Sequence, residues 1–265
     1  MKKIVFTSAL VGLVAMHSFA ADLPSKSGFL LGLDWNLGVG KGNSVATDTP
    51  AGGRPAALSP EFTGYFDNET LSNTFKLVVG YQRYSQNLSM LGFNIKGKVG
   101  LGFGQMTSVL RKNVDNNGTS LSGDGEGVVT SYVPLTLGIE ANFLVDFVES
   151  GEHVFGGSVG LGYEFVHGMG VANSFKNVKA NATSLFSKVF NANGIDYSVI
   201  SPKIGLHYYY QNHQVGLDVS FDKALQKGVT RALKPAGNPN AYSEQALTTN
   251  YGYLWTIGFN YAYRF

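Results

Sequence analysis

The chain has 265 residues, which suits a single domain, and 34 glycines with 13 % aromatic residues, which is unusual for a soluble enzyme. Without Lys2 and Lys3 the 20 basic side chains become 18, equal to the 18 acidic ones, and this balance argues against nucleic-acid binding. Because there is no cysteine, disulfides and thiolate metal sites are excluded.

The N-terminus has the three-part layout of a secretory signal. Lys2 and Lys3 precede an apolar run over Ile4–Met16, and Ser18-Phe19-Ala20 is a small-x-small cleavage site. The run of about 13 residues is too short for a transmembrane helix, which needs roughly 20. We therefore predict a signal peptide over residues 1–20 and a mature domain over residues 21–265, which is directed to the bacterial outer membrane.

The first strand is predicted where apolar and small or polar residues alternate after Ser27. The apolar set is Phe29, Leu31, Leu33, Trp35, Leu37 and Val39, and the interleaved set is Gly28, Gly32, Asp34, Asn36 and Gly38, with Leu30 as the exception. A strand places successive side chains on opposite faces. One face here suits lipid and the other suits a polar lumen.

The same period of two recurs in seven further segments. They are residues 75–82, 91–104, 132–145, 155–165, 200–209, 214–221 and 251–265. A soluble sandwich is the alternative for any one strand, but its strands are usually about 5–6 residues, and it rarely builds its solvent face from repeated glycines. The pattern predicts an all-β fold, an eight-stranded antiparallel transmembrane β-barrel with long extracellular loops.

The predicted connections alternate in length. Short links follow the second, fourth and sixth strands at residues 84–90, 148–153 and 211–213, and long links occupy residues 41–74, 105–131, 167–196 and 222–250. Outer-membrane barrels have short periplasmic turns and long outer loops, so both termini are expected in the periplasm. Ten strands remain an alternative if residues 61–66 join a further hairpin.

Charged residues of both signs are predicted on the lumenal face. They are Lys76, Lys96, Lys98 and Lys203 against Asp34, Glu140, Glu164 and Asp218. An eight-stranded barrel is only wide enough inside for side chains, and buried charges must be paired. Our hypothesis is an ion-pair network that plugs the lumen and fixes strand register, with a conducting channel as the alternative.

Motifs that could carry chemistry are weak. Residues 156–160 match G-x-S-x-G, but Ser158 is predicted in mid-strand instead of at the strand-to-helix turn which that motif needs. Residues 38–42 lack the P-loop spacing, and residues 115–126 depart from the calcium-loop pattern. We predict no enzyme activity, no cofactor and no metal, and expect His207 to be a lumenal hydrogen-bonding residue.

The long links are predicted to carry a binding surface. Apolar residues at helical spacing over residues 175–190, behind a possible cap at Asn173 or Ser174, predict a short amphipathic helix. Two of the loops are basic, through Lys176, Lys179, Lys188, Lys223, Lys227, Arg231 and Lys234. Our hypothesis is contact with lipopolysaccharide phosphates or an acidic host glycan, and a solvated loop face is the alternative.

Both ends of the mature chain resemble the Helicobacter-type outer membrane protein family (Hop and Hor-like proteins). The matching stretches are residues 27–34, 203–208, 212–219 and the aromatic final strand. The alternate aromatics Tyr261, Tyr263 and Phe265 look like the terminal signal that the barrel assembly machinery recognises. Large members are adhesins and some members are porins, but this chain lacks the long, cysteine-bearing domain of the large adhesins.

Together these patterns predict an integral outer-membrane barrel, expected to be a monomer, with a structural or adhesin-like surface-interaction role. A porin-like channel for small solutes or ions is the first alternative. An outer-membrane enzyme that modifies lipid is the second, and a histidine meeting a serine on one strand pair near the outer rim would favour it.

Overall fold

The computed structural model describes residues 26–50, 62–115, 127–176, 195–225, 227–235 and 242–265, so the predicted signal peptide lies outside the described residues. Those ranges form nine strands and no helix: β1 (Gly28–Pro50), β2 (Phe62–Tyr84), β3 (Leu91–Asp115), β4 (Gly127–Ser150), β5 (His153–Lys176), β6 (Ile195–Tyr210), β7 (His213–Ala224), β8 (Lys227–Pro235) and β9 (Tyr242–Arg264). Within these ranges, no helix that could cross a bilayer is found.

The strands close into a ring. Each strand from β1 to β6 pairs antiparallel with the next, β7 pairs with β9, and β9 pairs back with β1. β8 continues the course of β7 along β9, because Lys223 lies opposite Tyr253 and Lys227 lies opposite Asn250. The ring therefore has eight strand positions around its circumference, one of which is occupied by β7 and β8 in succession. The predicted antiparallel barrel is confirmed. Up to Gly168 of β5 and Ala224 of β7 the ring has no free sheet edge. Beyond them, among the described residues, β5 pairs only with β4 and β8 pairs only with β9.

The short turns lie at the predicted places. Residues 85–90 join β2 to β3, Gly151 and Glu152 join β4 to β5, and Gln211 and Asn212 join β6 to β7. Gly151 and Gln211 have φ of 60° and 54°, as two-residue hairpins require. The side chain of Gln211 donates to Glu152 at 2.8 Å, which ties adjacent turns together. We call this the turn end of the barrel.

The strands extend much further from the turn end than predicted. β1 to β5 have 23, 23, 25, 24 and 24 residues, so most of the predicted long links are strand. Residues 62–66 belong to β2, so the alternative of an additional hairpin is wrong. The predicted cap at Asn173 or Ser174 is also wrong, because both residues lie in β5. The rest of that predicted helix, residues 177–190, lies outside the described residues.

The outer face of the barrel carries a broad apolar band. Its exposed side chains include Leu31, Leu33, Leu37, Val39, Phe75, Leu77, Val79, Ile95, Val99, Leu101, Phe103, Leu137, Ile139, Phe143, Val159, Leu161, Ile204, Leu206, Val215, Leu217, Ile257 and Phe259. Phe29 is an exception, since it is buried with its ring centroid 5.3 Å from that of Tyr81. Tyr251, which was predicted to face outward, is a second exception, because it lines the lumen with its ring stacked on that of Tyr197. Apart from these two residues the exposed positions agree with the predicted outer face, and a band of this kind is the surface that hydrocarbon requires.

The apolar band ends at a ring of outward-facing polar residues. Lys41 lies opposite Glu69, and Gln105 lies opposite Ser131. Lys223 occupies the same level on β7, because both it and Lys41 lie opposite Tyr253 of β9. We call the strand segments beyond this ring the extension. The predicted strands end at this ring because the outward positions stop being apolar, although the backbone hydrogen-bond ladder continues beyond it.

Candidate functional site in the barrel lumen

A central network of charged side chains crosses the lumen at the level of the apolar band. Glu140 on β4 is 6 % exposed, and its carboxylate accepts from Lys98 at 2.5 Å and from Lys203 at 2.6 Å. Lys96 lies 3.9 Å from the same carboxylate. One acid therefore joins three lysines that come from β3 and β6.

The remaining predicted charges join the same network or pair beside it. Lys98 also bonds Asp34 at 2.5 Å, and Lys203 lies 3.4 Å from Asp218. Lys76 and Glu164 form an ion pair of their own. The structure thus brings together all eight predicted lumenal residues, which are Asp34, Lys76, Lys96, Lys98, Glu140, Glu164, Lys203 and Asp218. Each charge has an opposite partner, which offsets the cost of removing it from water.

Inward-facing glycines make room for this network. A Cβ atom at Gly160 would lie 1.9 Å from the side-chain oxygen of Asn142, and one at Gly100 would lie 2.5 Å from Cγ of Lys76. Asn142 donates to Glu140 at 2.7 Å, so the space at Gly160 serves the network directly. The repeated glycines of the inner face are therefore explained by close approach of long polar side chains.

A second cluster occupies the turn end of the lumen, and His207 is its only member predicted from the sequence, where it was expected as a lumenal hydrogen-bonding residue. The carboxylate of Asp146 accepts from the hydroxyl of Tyr84 at 2.8 Å, contacts Nε2 of His207 at 2.8 Å and pairs with Lys26 at 2.7 Å. The hydroxyl of Tyr84 also lies 3.1 Å from that of Tyr209. We call these five residues the turn-end cluster.

Much of this cluster could have been found by extending the alternation. Asp146 lies two residues beyond the inward-facing Leu144, and Tyr84 lies two residues beyond the inward-facing Gln82. Lys26 had no such signal, because it precedes the first strand and bends under the barrel. Its ammonium lies 4.6 Å from the ring centre of Tyr84, and its carbonyl accepts from Gln82 at 3.0 Å. The chain entering β1 therefore helps to close this end.

Above the central network lies a small space with both polar and apolar lining residues, which we call the upper cavity. Its volume is about 60 Å³, and a second space of about 50 Å³ adjoins the network itself. Both are large enough for a few water molecules. The residues that line the upper cavity include Asn36, Thr70, Thr74, Lys76, Thr136, Glu164, Tyr197, Asp222, Tyr251 and Thr256.

The interior of the extension is apolar. Its core consists of the buried residues Ala46, Phe66, Leu110, Val128 and Leu247, with Phe175 packed against them. A ring of small polar residues lies next to this core along the strands, and there Asn68 donates to Ser44 at 2.6 Å. Among the described residues, side chains fill the lumen from the central network to the extension apart from small cavities, and a wider space of about 470 Å³ opens at the turn end beside Lys26, Tyr209 and Arg264.

The basic residues predicted in loops are placed differently. Lys176 ends β5 and Lys223 belongs to β7, and both are exposed. Lys227, Arg231 and Lys234 belong to β8, so the prediction that these residues lie in loops is wrong. They lie in strand because β9 offers a partner to residues 227–235. Lys179 and Lys188 lie outside the described residues.

Residues considered for catalysis lie in strands. Ser158 is in the middle of β5, opposite Gly205, which is not a nucleophile elbow. Near the polar ring, His167 of β5 contacts the carboxylate of Asp196 of β6 at 2.5 Å on the exposed outer wall. Ser198 lies on the same strand as Asp196, and its hydroxyl accepts from Tyr163 at 3.0 Å. Among the described residues, no cluster of three or more acidic, histidine or cysteine side chains could hold a metal.

The aromatic residues of the final strand face outward at the turn end. Tyr261 and Phe265 are exposed, and the ring of Tyr263 lies 5.0 Å from that of Phe265. His213 at the start of β7 is 2.8 Å from the hydroxyl of Tyr261. Tyr261 and Tyr263 therefore belong to the strand that closes the ring, and Phe265 follows it directly, with its backbone N–H donating to the carbonyl of Phe29 at 2.9 Å.

A closed ring, an apolar outer band and a charged interior occur together in this chain. It is a membrane β-barrel. No family model matches the barrel, and no curated protein matches it either.

Solved structures give only distant likenesses. The outer membrane protein OprG from Pseudomonas aeruginosa is 11 % identical at a TM-score of 0.41, over 91 % of this barrel and 98 % of that chain. The outer membrane protease OmpT from Escherichia coli is 8 % identical at a TM-score of 0.32, over 88 % and 97 %. The translocator domain of autotransporter NalP from Neisseria meningitidis is 9 % identical at a TM-score of 0.26, over 99 % and 98 %. We infer no function from these likenesses.

Proposed function

We propose that this protein is a closed outer-membrane barrel that holds its extension as a rigid surface-interaction region. The turn end then faces the periplasm and the extension faces outward. The single observation that carries the proposal is the central network, in which Glu140 joins Lys98 and Lys203 across the lumen. A lumen filled by paired charges supports a scaffold better than an open pore.

Single-channel conductance of the refolded full chain in planar bilayers tests the closed state. We expect no steady current steps, because the central network crosses the lumen between the wider space at the turn end and the extension, and the cavities around it have volumes of only about 60 and 50 Å³. Refolding is checked first by the heat-dependent shift of electrophoretic mobility. Large, steady steps from the unmodified protein would overturn the proposal.

The surface-interaction role is supported by exposed basic residues beside the extension. Lys176, Lys223 and Lys227 are exposed there, where acidic lipid or glycan groups would lie. The test replaces these lysines by glutamate and measures binding to lipopolysaccharide and to host cells. We expect weaker binding that is also weakened by salt, and unchanged binding removes the basic surface from the proposal. Lys112→Glu is not a suitable control for these substitutions, because Lys112 also lies in the extension.

A gated channel is the second candidate, and the positions of the cavities favour it. The upper cavity and the space of about 50 Å³ share Lys76 and Glu164, and a further space of about 20 Å³ lies on the other side of Glu140. The bridge from Lys98 through Glu140 to Lys203 separates the space of about 50 Å³ from the space of about 20 Å³. Replacing Glu140, Lys98 and Lys203 together by serine is expected to give current steps if the bridge is a gate.

A lipid-modifying enzyme has one observation in its favour, the pair of His167 and Asp196 on the outer wall. Such a pair orients a histidine as a base. However, the hydroxyl of the nearby Ser198 accepts a hydrogen bond from Tyr163 at 3.0 Å. Loss of an acyl-ester cleavage activity in His167→Gln would support this candidate. The family resemblance, the monomeric state and recognition by the assembly machinery remain predictions.

A further inference from the structure

Asp222 is an inward-facing acid that the central network does not neutralise. It lies on β7 and lines both the upper cavity and the adjoining space. Lys76, which lines the same cavity, is paired with Glu164. Within the described part of the chain, Asp222 makes no ion pair. The four lysines and four acids of the predicted set balance, so Asp222 leaves one excess negative charge here.

The hydrogen bonds around Asp222 keep that charge in place. Ser220 donates its hydroxyl to one carboxylate oxygen at 2.8 Å, and Thr256 donates to the other at 2.7 Å. Ser220 and Thr256 lie directly opposite each other on β7 and β9. Because each hydroxyl proton is used by the carboxylate, both hydroxyl oxygens retain lone pairs for another partner. Neutral donors stabilise a carboxylate without cancelling its charge.

A further buried hydroxyl points to a missing partner. Thr136 lines the upper cavity, is 2 % exposed, and its oxygen has no hydrogen-bond partner among the described residues. An unpartnered buried hydroxyl is costly unless something in the cavity satisfies it. The upper cavity therefore combines an uncompensated carboxylate with hydroxyl oxygens that can accept.

We propose that the upper cavity binds one small monovalent cation, held by the carboxylate of Asp222 and by hydroxyl oxygens. Carboxylate and hydroxyl oxygens are the ligands that hard cations prefer. One positive charge balances Asp222, whereas a divalent ion would leave an unpaired positive charge inside the barrel, which is unfavourable. The volume of about 60 Å³ accommodates an alkali ion together with a few waters.

The proposal is tested with rubidium as the probe. Crystals of the full chain soaked in rubidium chloride are expected to show an anomalous peak beside Asp222. In lipid vesicles, the unfolding temperature is expected to be higher in rubidium or potassium chloride than in choline chloride at equal ionic strength, because choline is too large for the cavity. The absence of both the peak and the difference would overturn the proposal and indicate a protonated Asp222.

Matched variants separate this site from general salt effects. Asp222→Asn is expected to abolish the anomalous peak and the difference between salts, whereas Asp67→Asn, an exposed acid on the outer wall, is expected to leave both unchanged. If Asp222→Asn fails to fold, Thr136→Val removes only the unpartnered hydroxyl and is expected to weaken rubidium binding severalfold. Retention of full binding in Asp222→Asn, or equal loss in Asp67→Asn, would contradict the site. Neither result depends on whether the barrel conducts.

Discussion

The membrane-level part of the barrel and its extension use the same strands with opposite polarity. At membrane level, exposed residues such as Leu33 and Leu137 form the outer wall while Glu140 and Lys98 lie inside. In the extension, Asp67 and Arg111 face outward, and Phe66 and Leu110 are buried within. The two parts meet at the ring of polar residues where the apolar band ends.

This difference shows that alternation fixes which face a residue takes, while the surroundings fix which polarity that face needs. Side chains alternate between the two faces along each strand, and the inward parity changes at bulges such as those beside Gly170 of β5 and Gly252 of β9. Where hydrocarbon surrounds the barrel, the apolar set must be outside; where water surrounds it, burial of apolar groups again favours the interior. The backbone ladders of β1 to β5 and of β9 continue through the change, because backbone hydrogen bonds do not depend on side-chain polarity.

The largest loss of stability is expected when the acid at the centre of the network is replaced. Glu140→Gln leaves Lys98 and Lys203 buried without their shared carboxylate. We expect the free energy of unfolding to fall by about 3–5 kcal/mol, as for other buried ion pairs that lose one partner. Urea unfolding of the refolded protein in lipid vesicles measures this.

The matched control for that variant is Glu69→Gln at the polar ring. Glu69 is exposed on the outer wall, so its loss is expected to change the free energy of unfolding by less than about 0.5 kcal/mol. Equal effects of the two substitutions would show that the central network contributes no special stability.

The core of the extension is tested by Phe66→Ala. Phe66 is buried against Leu110 and Leu247, so its truncation leaves a cavity and is expected to cost about 3 kcal/mol. The neighbouring Tyr65 is exposed on the other face, and Tyr65→Ala is expected to cost less than about 1 kcal/mol. Urea unfolding together with protease sensitivity of the extension measures the difference, and similar losses would refute an apolar interior there.

The position of the boundary is tested by placing arginine on the outer wall at two levels. Leu137→Arg puts a charge in the apolar band, where the side chain is 64 % exposed, and is expected to cost about 2–4 kcal/mol in lipid. Val109→Arg lies beyond the polar ring and is expected to cost less than about 1 kcal/mol. Urea unfolding in vesicles compares them, and a reversed order would place the boundary elsewhere.

The smallest effect concerns the turn end, where a third kind of packing combines aromatic rings with ion pairs. Lys26→Gln removes one of three partners of Asp146 but leaves Tyr84 and His207 in contact with it. We expect a loss of about 1 kcal/mol, because the carboxylate keeps its other donors. Lys176→Gln, an exposed residue at the far end of β5, is the control, with no measurable change expected.

The sequence alone determined the antiparallel barrel, the positions of the three short turns and the direction of the lumenal charges. It could do so because the apolar band imposes a period of two on every strand that crosses it. Continuing the same count would also have placed Asp146 and Asp222 in the lumen, since each lies on an inward parity beyond the point where the predicted strand ended.

Only the tertiary structure decided the length of the strands, the apolar interior of the extension and the partners of each charge. The alternation of apolar and polar residues stops where the surroundings of the barrel change from lipid to water. The predicted strands therefore ended at residues such as Lys41, although β1 continues to Pro50. Pairing depends on the register between distant strands, which brings Lys203 of β6 to Glu140 of β4 and Lys26 to Asp146. These contacts join side chains of different strands across the lumen. The spacing of residues along one strand does not determine the distance between side chains on two strands.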